Sequence, residues 1–141
     1  MVYIIAFGWW LDPWIRRSGN RKLLDDIAAN LHFLVSDPNA NVPRTVGVFH
    51  SESPTVEIPW GNLFFTVVRW RDETIISVAP RHAPEKSYQI GPVVAALESR
   101  NFSERDVVHN LTDAARVLRP RLQALNAAFS EEQYPRIRDR L

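Results

Sequence analysis

The sequence contains no cysteine. A disulfide framework, a thiolate metal site and a cysteine nucleophile are therefore all excluded. Glycine is scarce. The five residues Gly8, Gly19, Gly47, Gly61 and Gly91 are too widely spaced for any two to build a phosphate-cradling G-x-G-x-x-G turn or a P-loop. A G-x-S-x-G elbow, an H-E-x-x-H pair and an EF-hand loop are missing as well, which removes α/β-hydrolase, zincin and calcium-sensor chemistry. The four histidines, His32, His50, His82 and His109, form no pair with metal-ligand spacing, so neither a metal nor a cofactor is expected. No run of apolar residues is long enough for a transmembrane helix, which needs about 18 or more.

Charge of one sign is lacking too. Seventeen Lys and Arg stand against sixteen Asp and Glu, for a formal charge of +1. The balance is even along the chain: seven basic and seven acidic residues up to position 72, ten and nine after it. Neither a self-repelling disordered chain nor a basic nucleic-acid coat fits this pattern. Lysine occurs twice against fifteen arginines, a bias that genome composition explains better than a preference for bidentate anion recognition does. Arg116, Arg119 and Arg121, and then Arg136, Arg138 and Arg140, could track phosphates. Glu131, Glu132 and Asp139 neutralise the tail, so these read as solvated helix faces and nucleic-acid binding is not expected.

What is present suits one folded domain over 1–141. The chain is 141 residues long and 45% hydrophobic, enough to bury a core without staples. Leu24, Ile27, Ala28, Leu31, Leu34 and Val35 recur on one helical face. Asn20 precedes them as an N-cap, and Asp37-Pro38 ends the helix. The middle is strand-like: Thr45 to His50, Thr55 to Ile58 closed by Pro59-Trp60-Gly61-Asn62, Leu63 to Arg71, and Thr74 to Ala79 stopped by Pro80. Leu63 to Arg71 is apolar on both sides at its start and is expected to be central, with a polar turn at 71–73 making an antiparallel hairpin. Gly91-Pro92 opens a further helix. Ser103 with Asp106 resembles a capping box, from which one long helix runs to Ser130, kinked at Pro120. Pro135 opens a last short helix. The expected fold is α+β: two layers, an antiparallel sheet of three to four strands packed against flanking α-helices.

Three stretches carry chemistry. The Pro80 to Tyr88 loop follows a strand and holds Arg81, His82, Glu85 and Lys86, which suits either a solvated connector, a partner-binding loop or a catalytic one. Arg81 could clamp an anion, His82 could move a proton and Glu85 could orient it. His50 with Glu52 is a second catalytic candidate, and meeting His82 at one sheet end would give an acid/base pair of small-nuclease type. The third is aromatic: Phe7, Trp9, Trp10 and Trp14 beside Arg16 and Arg17. These rings suit a core, a partner or homodimer interface, or a peripheral membrane contact. A secretory signal would place positive charge before this apolar run, and here it follows, so the protein is expected to be uncleaved and cytoplasmic.

The reading these features favour is a small bacterial protein-binding module without catalytic activity, of immunity-type or regulatory-inhibitor kind. Trp9, Trp10, Trp14, Arg81, Glu85, Lys86 and Tyr88 are its expected partner-binding residues. A metal-independent hydrolase or nuclease built on His82, Arg81, His50 and Glu52 is the alternative from another class. A homodimeric structural subunit joined through the aromatic segment is the third.

Overall fold

The computed structural model describes residues 20–37, 44–46, 54–70 and 73–141. Trp9, Trp10, Trp14, His50 and Glu52 lie outside the described residues. The architecture is α+β: one antiparallel sheet with helices packed on one of its faces.

The sheet is a meander whose strands stand side by side in chain order: β1 (Arg44–Val46), β2 (Thr55–Trp60), β3 (Leu63–Trp70), β4 (Glu73–Pro80) and the two-residue β5 (Tyr88–Gln89). Apolar side chains line one face in rows across the strands. Val56, Val67 and Ile76 form one row, Ile58, Phe65 and Val78 the next, and Trp60 and Leu63 a third. All are buried, because alternation along each strand turns them to the face that the described helices cover. The opposite face, carrying Phe64, Thr66 and Val68, is half-buried, so β3 is central and its cover is unequal.

Two-residue connections fix the register. Gly61 has φ +55° and Asn62 does not have a positive φ, the pattern of a type II′ hairpin turn. Trp60 and Leu63 are then a hydrogen-bonded pair, and bonding alternates from there. Two flanking bonds obey the same alternation: Arg69 N to Pro54 O at 3.0 Å and Arg81 N to Asn62 O at 2.7 Å. Pro59 does not close β2, as the sequence suggested, but lies within it opposite Phe64. Its nitrogen points away from β3, at a position that the short β1, paired only with Thr55 to Glu57, does not reach.

The helical layer begins with α1 (Asn20–Asn30) and α2 (His32–Val35), separated at Leu31. Leu23, Leu24, Ile27, Leu31 and Leu34 are buried against the sheet and against later helices. Asp26 on α1 pairs with Arg69 on β3 at 2.8 Å. α3 (Ile90–Leu97) follows β5 directly. Pro92 is its third residue rather than its first, still among the helix-start positions whose N–H has no helical acceptor. It ends with Ser99 at φ +55°, where Ser99 N bonds Ala96 O and Arg100 N bonds Ala95 O, a Schellman closure with serine in the usual glycine place.

The expected long helix from Ser103 is corrected by the structure. Ser103 and Asp106 do form the capping box, but it opens only a 3₁₀ turn at Glu104–Asp106. Residues 107–109 are non-helical, with Val107 extended at φ −69° and ψ 127°. The helix starts afresh as α4 (Leu111–Leu118), capped by the Asn110 side chain accepting from Asp113 N at 2.8 Å. At Pro120 the chain does not merely kink. It passes through a 3₁₀ turn, Arg119–Arg121, into a separate α5 (Leu122–Ala128). α6 (Tyr134–Arg138) has Pro135 in its first turn, as expected. No helix among the described residues is long and apolar enough to cross a membrane.

Candidate functional site

The Pro80 to Tyr88 loop leaves β4 through two successive turns, closed by Ala83 N to Pro80 O and Lys86 N to Ala83 O, both at 3.0 Å. Arg81, His82, Glu85 and Lys86 are exposed on it, and Tyr88 is half-buried. The guanidinium of Arg81 reaches back to Gly61 O at 3.3 Å, tying the loop to the β2–β3 turn. His82 lies edge-on to the Tyr134 ring, 5.5 Å between centroids. Its imidazole has no hydrogen bond among the described residues, so no carboxylate orients it there. Tyr134 is the anchor beneath. It packs edge-on against Phe129 at 5.6 Å and shares a 2.9 Å hydroxyl hydrogen bond with Tyr88. Burial, and then the Tyr88 hydrogen bond, push the Tyr134 hydroxyl up to about 12. The structure thus brings Arg81, His82, Glu85, Lys86 and Tyr88 together on one loop, with Tyr88 serving the scaffold. The remaining sequence candidates, Trp9, Trp10, Trp14, His50 and Glu52, fall outside the described residues.

Along the same side of β4, beyond β5, sequence reasoning missed a cleft of about 460 Å³. Its wall is β4 from Glu73 to Ile76, its floor is the start of α3 at Ile90, Gly91 and Pro92, and its far side is the stretch Val107 to His109 with Phe102 above. Phe102 is 51% exposed and Val107 37% exposed, which places two of the large exposed apolar side chains on this one cleft. Gly91 is required at its base. A Cβ there would collide with the carbonyl of Asp106, so only glycine lets α3 approach the 3₁₀ turn this closely. His109, within the stretch expected to be one long helix, instead stands exposed on the non-helical far wall.

A second hollow, of about 390 Å³, is lined chiefly by charge: Glu98, Arg100, Arg105, Asp106, Arg116 and Arg121. Much of that charge is already paired. Arg100 donates to Asp106 at 2.7 Å and to Glu98 at 3.0 Å, and Arg121 lies 3.4 Å from Glu98. Asp106, nearly enclosed, also accepts from Ser103 N at 2.8 Å. The Arg100 hydrogen bond holds both the Asp106 and Glu98 carboxyls below their ordinary values. This is a structural clamp that fixes the 3₁₀ turn and the α4–α5 junction.

Among the described residues no group of three or more His, Asp or Glu is placed to hold a metal ion. Comparison with protein-family models, with curated proteins and with solved structures gave no match.

Proposed function

We propose that the protein is a small protein-binding module, of immunity-type or regulatory-inhibitor kind, that engages its partner along the β4 side of the sheet. One observation carries this reading: Phe102 and Val107, both exposed, flank a cleft of about 460 Å³ beside a strand edge. Apolar side chains gathered on a concave surface mark binding surfaces more often than singly scattered ones. Arg81, Glu85 and Lys86 are exposed on the loop that leaves the other end of the same strand and line none of the cleft; they are candidates for a separate polar contact with the partner. Trp9, Trp10 and Trp14 stay candidates for additional apolar contact. His82 argues for binding rather than proton transfer, because an aromatic ring and not a carboxylate holds its imidazole among the described residues.

The test is affinity capture from the native host's lysate with three baits: wild type, Phe102→Ser, and Arg81→Ala/Lys86→Ala. Circular dichroism first confirms that each is folded. A stoichiometric partner retained by wild type and lost by Phe102→Ser supports the reading, and partial loss from the loop variant places the separate polar contact. A partner held equally by all three baits moves the site elsewhere. Absence of any partner, together with a turnover activity that His82→Ala abolishes, replaces the reading with the hydrolase alternative.

A further inference from the structure

The cleft beside β4 has walls of an unusual kind, and they define what fits between them. Bonding along β4 alternates from the Trp70–Glu73 pair that closes the β3–β4 connection. Glu73, Ile75, Ser77 and Ala79 therefore bond to β3, while Thr74, Ile76 and Val78 direct their N–H and C=O groups away from it. β5 meets β4 only at Ser77 and Val78. Among the described residues no strand continues the ladder past Ser77, and the N–H of Thr74 has no partner on its outward side. The opposite wall is also open backbone. Residues 107–109 are non-helical, and the N–H groups of Val108 and His109 make no hydrogen bond among the described residues.

We infer that this cleft receives an extended peptide segment of the partner, which adds to β4 as a strand between Thr74 and the Val107–His109 wall. The inference rests on the protein-binding reading and names the partner's binding mode. An unpaired strand edge is a template for another chain, with main-chain bonds giving affinity and alternate side chains giving selectivity. The segment residue opposite Thr74 projects to the helix-covered face, where Pro92, Phe102 and Val107 present apolar surface, and it is apolar; the place opposite Ile76 is filled by Ile90, next after the Ser77–Gln89 pair. Residues opposite Glu73 and Ile75 project to the other face. Among the described residues Glu73 is the one fully charged side chain lining the cleft, and it carries no ion pair there. Its counterpart on the segment is Lys or Arg.

The experiment uses a displayed library of random twelve-residue peptides selected on the wild-type protein. The selected peptide is then made synthetically, as itself and as a series N-methylated at each position in turn. The expected result has four parts. The peptide alternates apolar residues and carries a basic one. Amide exchange at Thr74 slows when it binds. N-methylation weakens binding at least tenfold at every second position and little at the positions between. Thr74→Pro and Glu73→Lys each weaken it at least tenfold. A library without binders overturns strand addition. So does a peptide that binds with no periodic response to N-methylation and no protection of Thr74, whether or not Thr74→Pro folds. Neither result bears on the Phe102-dependent capture of a partner, which stands or falls separately.

Discussion

Gly61 shows how much a single residue sets in this fold. Its φ of +55° belongs to the hairpin turn between β2 and β3. A Cβ there would also stand 2.5 Å from Asn126 Oδ1, the atom that accepts the Asn62 N–H at 2.7 Å. Gly61→Ala therefore strains the backbone and displaces the acceptor that ties the hairpin to α5. The expected cost is about 2 kcal/mol, from left-handed strain plus one lost hydrogen bond, read as a lower urea midpoint with unchanged slope. Tyr134 offers an optical readout at the same scale. Its hydroxyl is held neutral up to about 12, above the ordinary 10 of a free tyrosine. A folded-state pKa raised in this way means the native state binds more protons between those values, so its contribution is present below pH 10 and is lost as pH rises through 12. Titration followed by tyrosinate absorbance should show a late-ionising phase, and Tyr134→Phe should remove it. An unchanged late phase in the variant assigns it to another tyrosine.

At the scale of elements, the strand alternation makes a sharp contrast between neighbours. Ile75 bonds inward to β3 and Thr74 faces out, so proline at the two positions has opposite consequences. Ile75→Pro deletes a ladder bond in the middle of the sheet and is expected to abolish the cooperative thermal transition. Thr74→Pro removes only an outward N–H and is expected to keep one. Equal damage from both would mean the register is wrong. Strands of this kind were legible in the sequence because alternation and the polar turn at 71–73 mark a hairpin without reference to anything distant. The helices were less so. From Val107 to Ser130 the apolar residues keep helical phase, and phase alone predicts one kinked helix. Two local effects override it. Proline at 120 removes a ladder bond and tightens the turn to 3₁₀. The Asp106 carboxylate, drawn to Arg100 and to Ser103 N, closes its turn early and releases Val107 into an extended conformation. The capping box was legible in the sequence, but not that Arg100 would bond its aspartate.

At the scale of the whole molecule, the two-layer α+β class followed from pattern, whereas the cleft did not. The loop residues Arg81, His82, Glu85 and Lys86 could be singled out because they are polar, proline-framed and adjacent to a strand. The cleft arises instead from a mismatch of lengths, β5 being only two residues long and the chain resuming its helix only at Leu111. No single residue advertises such a mismatch. What holds the far wall of the cleft in place is the ion-pair clamp around Arg100, and that makes the wall sensitive to acid. Glu98 and Asp106 are both held below ordinary carboxyl values, first of all by the Arg100 hydrogen bond. A depressed carboxyl pKa contributes stability that is complete above the unfolded-state value near about 4 and is lost as pH falls through the lower folded-state value. Arg100→Gln releases both carboxyls toward ordinary behaviour. The variant should be less stable than wild type at neutral pH, and the two should converge in strong acid, where the carboxylates are protonated and the clamp is gone in either protein. Urea midpoints measured at pH 7 and pH 2.5 check this. A gap that persists undiminished at the lower pH would show that Arg100 acts through packing of its stem rather than through its charge.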